Sequence, residues 1–171
     1  MANKIYVELT PKSIDNAIKL LRQYNAWVQA KEKELRTRLA EIGVAVASVR
    51  FSGAKYDGNN DVTVTFSDIG DTATISAKGE AVAFIEFGSG AKLGYGHPDA
   101  AKHGFGPGTW SDGPEGKGHW NEMTKDGKYK GWWFGDDGKH TYGNPPAMAM
   151  HFATQEILAN ITRIATEVFK T

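Results

Sequence analysis

Residues 11–49, PKSIDNAIKLLRQYNAWVQAKEKELRTRLAEIGVAVASV, decide the architecture of this chain. Apolar side chains recur at Ile14, Ile18, Leu21, Val28, Leu35, Leu39, Ile42, Val46 and Val49, spaced by threes, fours and sevens with no proline after Pro11. That period places them on one side of an α-helix. Thr10 supplies a side chain able to cap helix N–H groups, and Pro11 occupies the first helical position, where its missing N–H costs nothing. A helix over 11–49 would be on the order of 55 Å long at about 1.5 Å per residue. A domain of this size does not need such a length for its own core, so part of the helix is expected to project or to pack on another subunit. Between residues 10 and 50 eight Lys and Arg face four Asp and Glu, leaving +4. Two readings stay open for that polar face: a solvated, salt-bridged surface, or a surface turned toward DNA or an acidic partner.

Outward from the helix, residues 4–9 (KIYVEL) alternate, with Ile5, Val7 and Leu9 opposite Tyr6 and Glu8, and predict a first strand. Residues 61–66 (DVTVTF) and 72–77 (TATISA) flank the short polar turn Ser67-Asp68-Ile69-Gly70-Asp71 and predict an antiparallel hairpin. Residues 79–87 (GEAVAFIEF) form a nearly continuous apolar run whose alanines favour a short helix. After the breaker Gly143-Asn144-Pro145-Pro146, helical spacing resumes through Met150, Ile157, Leu158, Ile161, Ile164, Val168 and Phe169. The fold class that follows is α+β: an antiparallel sheet packed by a long N-terminal helix and a C-terminal helix. One domain over 1–171 is expected, with an insertion at about 88–143.

The insertion differs in composition. It holds 15 of the 20 glycines, four of the five tryptophans (Trp110, Trp120, Trp132, Trp133) and four of the five histidines (His97, His103, His119, His140). A structureless loop that long is rare inside a compact domain, so it either has order of its own or becomes ordered on a partner. Lys125-Asp126-Gly127-Lys128 and Asp136-Asp137-Gly138-Lys139 each place an Asp-Gly turn between candidate strand residues. These turns predict a small meander of 120–123, 129–134 and 140–142, preceded by an irregular loop over 94–118.

Composition narrows the chemistry. The 171 residues carry 20 Lys and Arg against 20 Asp and Glu, so no general positive surplus exists for wrapping nucleic acid. Cysteine is absent, which removes disulfides, thiolate nucleophiles and Cys-rich zinc sites and fits a reducing cytoplasm. No apolar run reaches the length of a membrane span or has signal-peptide character, so no membrane association is expected. The four insertion histidines lack HxH or HxxxH spacing, and no metal site or cofactor is read; histidines hydrogen-bonded in aromatic loops are expected instead. Asp57, Asn59 and Asp61 resemble the start of a calcium loop, but Val62 stands at the glycine position and Asp68 at the place of the closing Glu. Gly88-Ser89-Gly90 is too short for a nucleophile elbow, and neither it nor Gly104-Phe105-Gly106-Pro107-Gly108 carries a P-loop lysine. The chain is therefore read as a non-enzyme with no catalytic residues. The alternative is a sugar-binding or cell-wall-degrading module, with Glu115 and Glu122 as a carboxylate pair among the tryptophans.

Ala83-Phe84-Ile85-Glu86-Phe87-Gly88-Ser89-Gly90 resembles the V-E-F-G-T-G pattern of a family of tailed-phage neck proteins, termed head-tail joining, tail-completion or minor tail components. His97-Pro98-Asp99-Ala100 follows at the usual interval, and Gly143-Asn144-Pro145-Pro146-Ala147-Met148 is similar to the family's opening of the C-terminal helix. Ser89 stands where threonine is commoner, and Ala149-Met150 where Pro-Phe is usual. The resemblance implies a structural virion protein of a bacteriophage, assembled in the host bacterial cytoplasm and located in the neck or tail. Its expected role is to complete the head-proximal tail end, or to join head to tail as a connector, within a homo-oligomeric ring. The implied partners are tail terminator, tail tube and head-completion proteins, with DNA only as cargo passing through the ring lumen. The residues expected to fix the fold and the contacts are Glu86, Phe87, Gly88, Gly90, Trp110, Trp120, Trp132, Trp133, Pro145, Pro146 and Met148.

Overall fold

In a computed structural model, the structure describes residues 6–54, 60–90, 93–105, 125–126, 128, 132–134 and 139–170. Helix α1, Pro11–Ser52, has 42 residues and runs three residues past the 11–49 span anticipated from the apolar spacing. Thr10 caps it, its Oγ1 accepting from the Ser13 N–H at 3.3 Å, while the Ser13 Oγ accepts from the Glu8 N–H at 3.0 Å. At the other end the Asn60 side-chain amide donates to the carbonyls of Phe51 and Ala54, satisfying acceptors that a helix C-terminus leaves open.

Strands β1 (Thr63–Ile69) and β2 (Thr72–Lys78) form the expected antiparallel hairpin around Gly70, in the register Val64↔Ala77 and Phe66↔Ile75. Alternation puts Val64, Phe66, Ala73, Ile75 and Ala77 toward α1 and leaves Thr63, Thr65, Thr72 and Thr74 exposed. Helix α2 (Val82–Phe87) follows, so the alanine-rich run is helical as its composition indicated. Within the insertion lies a short 3-10 turn, Ala101–His103. There β3 (Trp132–Phe134) and β4 (Lys139–Thr141) pair antiparallel, and the first expected meander strand, 120–123, lies outside the described residues.

Helix α3, Ala149–Phe169, runs antiparallel to the second half of α1. Its start packs beside Ala47 and Phe51, its middle lies at Gly43, and its end reaches Trp27, whose ring meets that of Phe169 edge-on at 5.9 Å. Gly43 permits this approach, because a Cβ there would stand 2.7 Å from the Ile157 Cδ1 and would also overlap Ile75. The core holds Ala47, Phe51, Ile85, Ala149 and Ala153, flanked by Val46, Val62, Val64, Ala77 and Met150. Phe51 and Ile85 are fully buried, and full burial of such side chains contributes roughly 1.5–3 kcal/mol each. Arg36 ties helix to hairpin, its Nε donating to Asp68 at 3.2 Å and its Nη2 to the Gly70 carbonyl at 3.1 Å.

The two helices differ in length, 42 residues against 21. At about 1.5 Å per residue, α3 covers only half of α1, and the N-terminal half extends past it as an arm. Ile14, Ile18, Leu21 and Tyr24 are exposed along that arm. One expectation is corrected. Residues 6–9, read as part of a first strand, form no strand in the chain, and positions 4 and 5 lie outside the described residues. The physical reason is reach: α1 carries this segment away from the hairpin, and a strand without a neighbouring edge has nowhere to place its backbone hydrogen bonds.

Candidate functional site

The segment that ends α2 and the segment that opens α3 are locked together. Ala147 and Met148 donate their N–H groups to the carbonyls of Ile85 (2.8 Å) and Glu86 (3.2 Å). Met148 occupies the N-cap position with left-handed backbone, φ 52° and ψ 36°, and its side chain offers no cap. That conformation is unusual for a non-glycine residue. Helix α3 therefore begins with open N–H groups, and the Glu86 side chain closes them from a different helix. Its Oε1 and Oε2 accept from Met150 N–H at 3.1 and 3.0 Å, and Oε1 also accepts from His151 N–H at 3.1 Å. An acidic group at a helix N-terminus is further favoured by the helix dipole.

His97 completes the arrangement. Its Nδ1 accepts from the Asp99 N–H at 3.1 Å, which leaves Nε2 as the donor toward Glu86 Oε1 at 3.2 Å. Both side chains are buried. Phe87, next along α2, stacks on Phe105 (5.0 Å between centroids) and His103 (5.1 Å) and meets His97 edge-on at 4.6 Å. A cleft of about 430 Å³ opens beside this group, lined by Ala77, Val82, Phe87, His103, His151 and Thr154 among others.

A second tie fastens the base of the insertion. Ser89 and Asn144 exchange backbone hydrogen bonds of 3.0 and 3.2 Å, and the Ser89 hydroxyl donates to Asn144 Oδ1 at 2.5 Å. The Asn144 amide donates in turn to the Phe84 carbonyl at 2.9 Å. Two glycines make the approach feasible. Gly88 has φ 77°, and a Cβ there would stand 2.8 Å from the Pro146 N and Cδ; Gly143 has φ 100°, and a Cβ there would overlap the Ser89 carbonyl. Positive φ and absent space both demand glycine at these points.

Most of the expected structural residues thus meet at one junction: Glu86, Phe87, Gly88, Gly90, Pro146 and Met148 are buried or half-buried there, and Pro145 lies at its exposed edge. Trp132 and Trp133 lie on β3, paired with Thr141 and His140. Trp110 and Trp120 lie outside the described residues, as do Glu115, Glu122, Asp57 and Asn59. Asp61 serves the hairpin instead, accepting from the Glu80 N–H at 2.7 Å. Among the described residues no group of three His, Asp or Glu side chains is placed to hold a metal ion. Nor is any described helix long and apolar enough to cross a membrane.

Sequence reading missed Gly143 and Asn144 as a clamp, reading them as a helix breaker and as part of the segment that opens the C-terminal helix, and missed His97 as the partner of Glu86. Neither the 55-residue separation of Ser89 from Asn144 nor the 64-residue separation of Glu86 from Met150 leaves a periodic trace. Far from the junction, Arg38 and Arg163 both donate to Glu167, at 2.5 and 2.7 Å, and hold its carboxyl below the usual glutamate range. With this geometry in hand, the chain matches no protein-family model, no curated protein and no solved structure.

Proposed function

We propose that this chain is a structural, non-catalytic virion protein of a tailed phage that completes the head-proximal tail end or joins head to tail, as one subunit of an oligomeric ring. The observation that carries the reading is the commitment of Glu86 and His97. These two groups are the obvious acid–base couple of the cleft, yet Glu86 is engaged by the α3 N–H groups and His97 by the Asp99 N–H and Glu86. Their hydrogen-bonding capacity is used in joining two helices. The residues that carry the phage resemblance, 83–90, 97–100 and 143–148, include those that form this junction, which supports the reading. The apolar side chains exposed along the α1 arm, Ile14, Ile18, Leu21 and Tyr24, supply the surface that a ring subunit needs.

Electron microscopy of purified particles, with this chain labelled, tests the reading. Density at the neck or tail end supports it, and particles that lack the chain and still join heads to tails overturn it. The finer assignments, tail terminator, tube or head-completion protein as neighbour and DNA passing through the lumen, belong to the same proposal and are read from the same maps.

A further inference from the structure

We propose that residues 6–9 are a strand donated between subunits, adding to an open edge of the β1–β2 hairpin of a second copy of this chain. The segment has the period-2 pattern of a strand, with Val7 and Leu9 on one side and Tyr6 and Glu8 on the other. Among the described residues it pairs with no strand: Tyr6 is 86% exposed, Leu9 97% and Val7 48%. The Glu8 N–H is held by Ser13, whereas Val7 has no hydrogen-bond partner among the described residues.

Its own hairpin is out of reach. The α1 residue that grips the hairpin turn is Arg36, and 25 residues of unbroken helix separate it from Pro11. That distance is on the order of 38 Å, and a helix cannot fold back across it. The acceptor is equally unfinished. The sheet has two strands of seven residues, and among the described residues no backbone hydrogen bond from outside the hairpin reaches either outer edge. Two-stranded sheets with both edges open are marginal and invite a third strand.

Donor and acceptor lie far apart along one subunit, so the contact is head-to-tail, the type that closes into rings or runs on as filaments. Charge favours a second copy as the occupant. Residues 6–26 carry Lys12, Lys19 and Arg22 against Glu8 and Asp15, a net +1, while residues 60–80 carry Asp61, Asp68, Asp71 and Glu80 against Lys78, a net −3. The exposed Ile14, Ile18 and Leu21 continue from the donated strand and would be covered by the same neighbour. Main-chain pairing of this kind supplies affinity, and the alternate side chains supply register. The inference stands on the arm and the hairpin and does not depend on the virion reading.

The test uses the full chain, which lacks cysteine. Ultracentrifugation over a concentration series compares wild type with Val7→Pro, which removes a strand N–H, and circular dichroism checks that helicity is unchanged. Self-association weakened tenfold or more by Val7→Pro is the expected result. In parallel, Val7→Cys is mixed with Thr65→Cys, with Ser76→Cys, or with Thr162→Cys on exposed α3 as a control, and oxidised. Covalent heterodimers with one of the two hairpin variants, and not with the control, support the proposal. A chain monomeric at every concentration, association indifferent to Val7→Pro, or cross-linking to α3 as efficient as to the hairpin overturns it.

Discussion

Replacing Glu86 by alanine would strip the cap from α3 while leaving the helix sequence untouched. Three donors lose their acceptor: the N–H groups of Met150 and His151 and the His97 Nε2–H. Each unsatisfied buried donor costs about 1–3 kcal/mol, and a lost helix cap alone costs about 0.5–2 kcal/mol. The neighbouring cleft admits water to part of the site, so the sum is smaller than three full penalties, about 3 kcal/mol. For a domain of this size each kcal/mol lowers Tm by roughly 2–4 °C, which gives a drop of about 6–12 °C. Glu86→Gln keeps one oxygen acceptor but loses the charge at the helix terminus, and falls between, at about 1.5 kcal/mol. Urea titrations followed at about 222 nm, with m unchanged between variants, measure both values. If Glu86→Ala lies within about 0.5 kcal/mol of wild type, or Gln is as damaging as Ala, the trans cap is not what holds α3 in place.

Other substitutions separate neighbouring ideas. Gly143→Ala should cost about 3 kcal/mol or more, because the new Cβ overlaps the Ser89 carbonyl, whereas Gly70→Ala, with φ 61° but open space, should cost only about 1 kcal/mol; equal values by calorimetry would refute the clamp. The Glu167 carboxyl should titrate below the ordinary glutamate midpoint near 4.3, since its folded form is held ionised by Arg38 and then Arg163. The small stability it lends is present above that midpoint and is lost as pH falls through the depressed folded value. NMR titration should show the midpoint return toward normal in Arg38→Gln, and a midpoint at or above about 4.3 in the wild type would count against the pair. Replacing residues 120–142 with a Gly-Ser link should leave the helical circular dichroism of α1 and α3 intact while particle counts show unjoined heads and tails. Loss of helicity would place the insertion in the core, and peptidoglycan cleavage by wild type that Glu115→Gln or Glu122→Gln abolishes would replace the structural reading with an enzymatic one.

The amino-acid order alone determined the elements whose hydrogen bonds are local. Helix α1 was legible because its bonds close four residues apart and its apolar period repeats along the whole element, with Thr10 and Pro11 marking its start. The hairpin was legible because its partners lie a few residues apart across Gly70, and α3 because Pro145 and Pro146 precede a clean helical period. Tertiary structure decided the rest. Residues 6–9 have the pattern of a strand, but a strand needs an edge, and the length of α1 keeps its own edge away. Glu86 has nothing in its local sequence to mark it as a cap; its role exists because α2 and the start of α3 converge, 64 residues apart, where a left-handed Met148 leaves N–H groups open. Short-range order is written in periodicity, whereas a cap or an edge supplied from a distant segment depends on where the packed helices and the hairpin bring the chain.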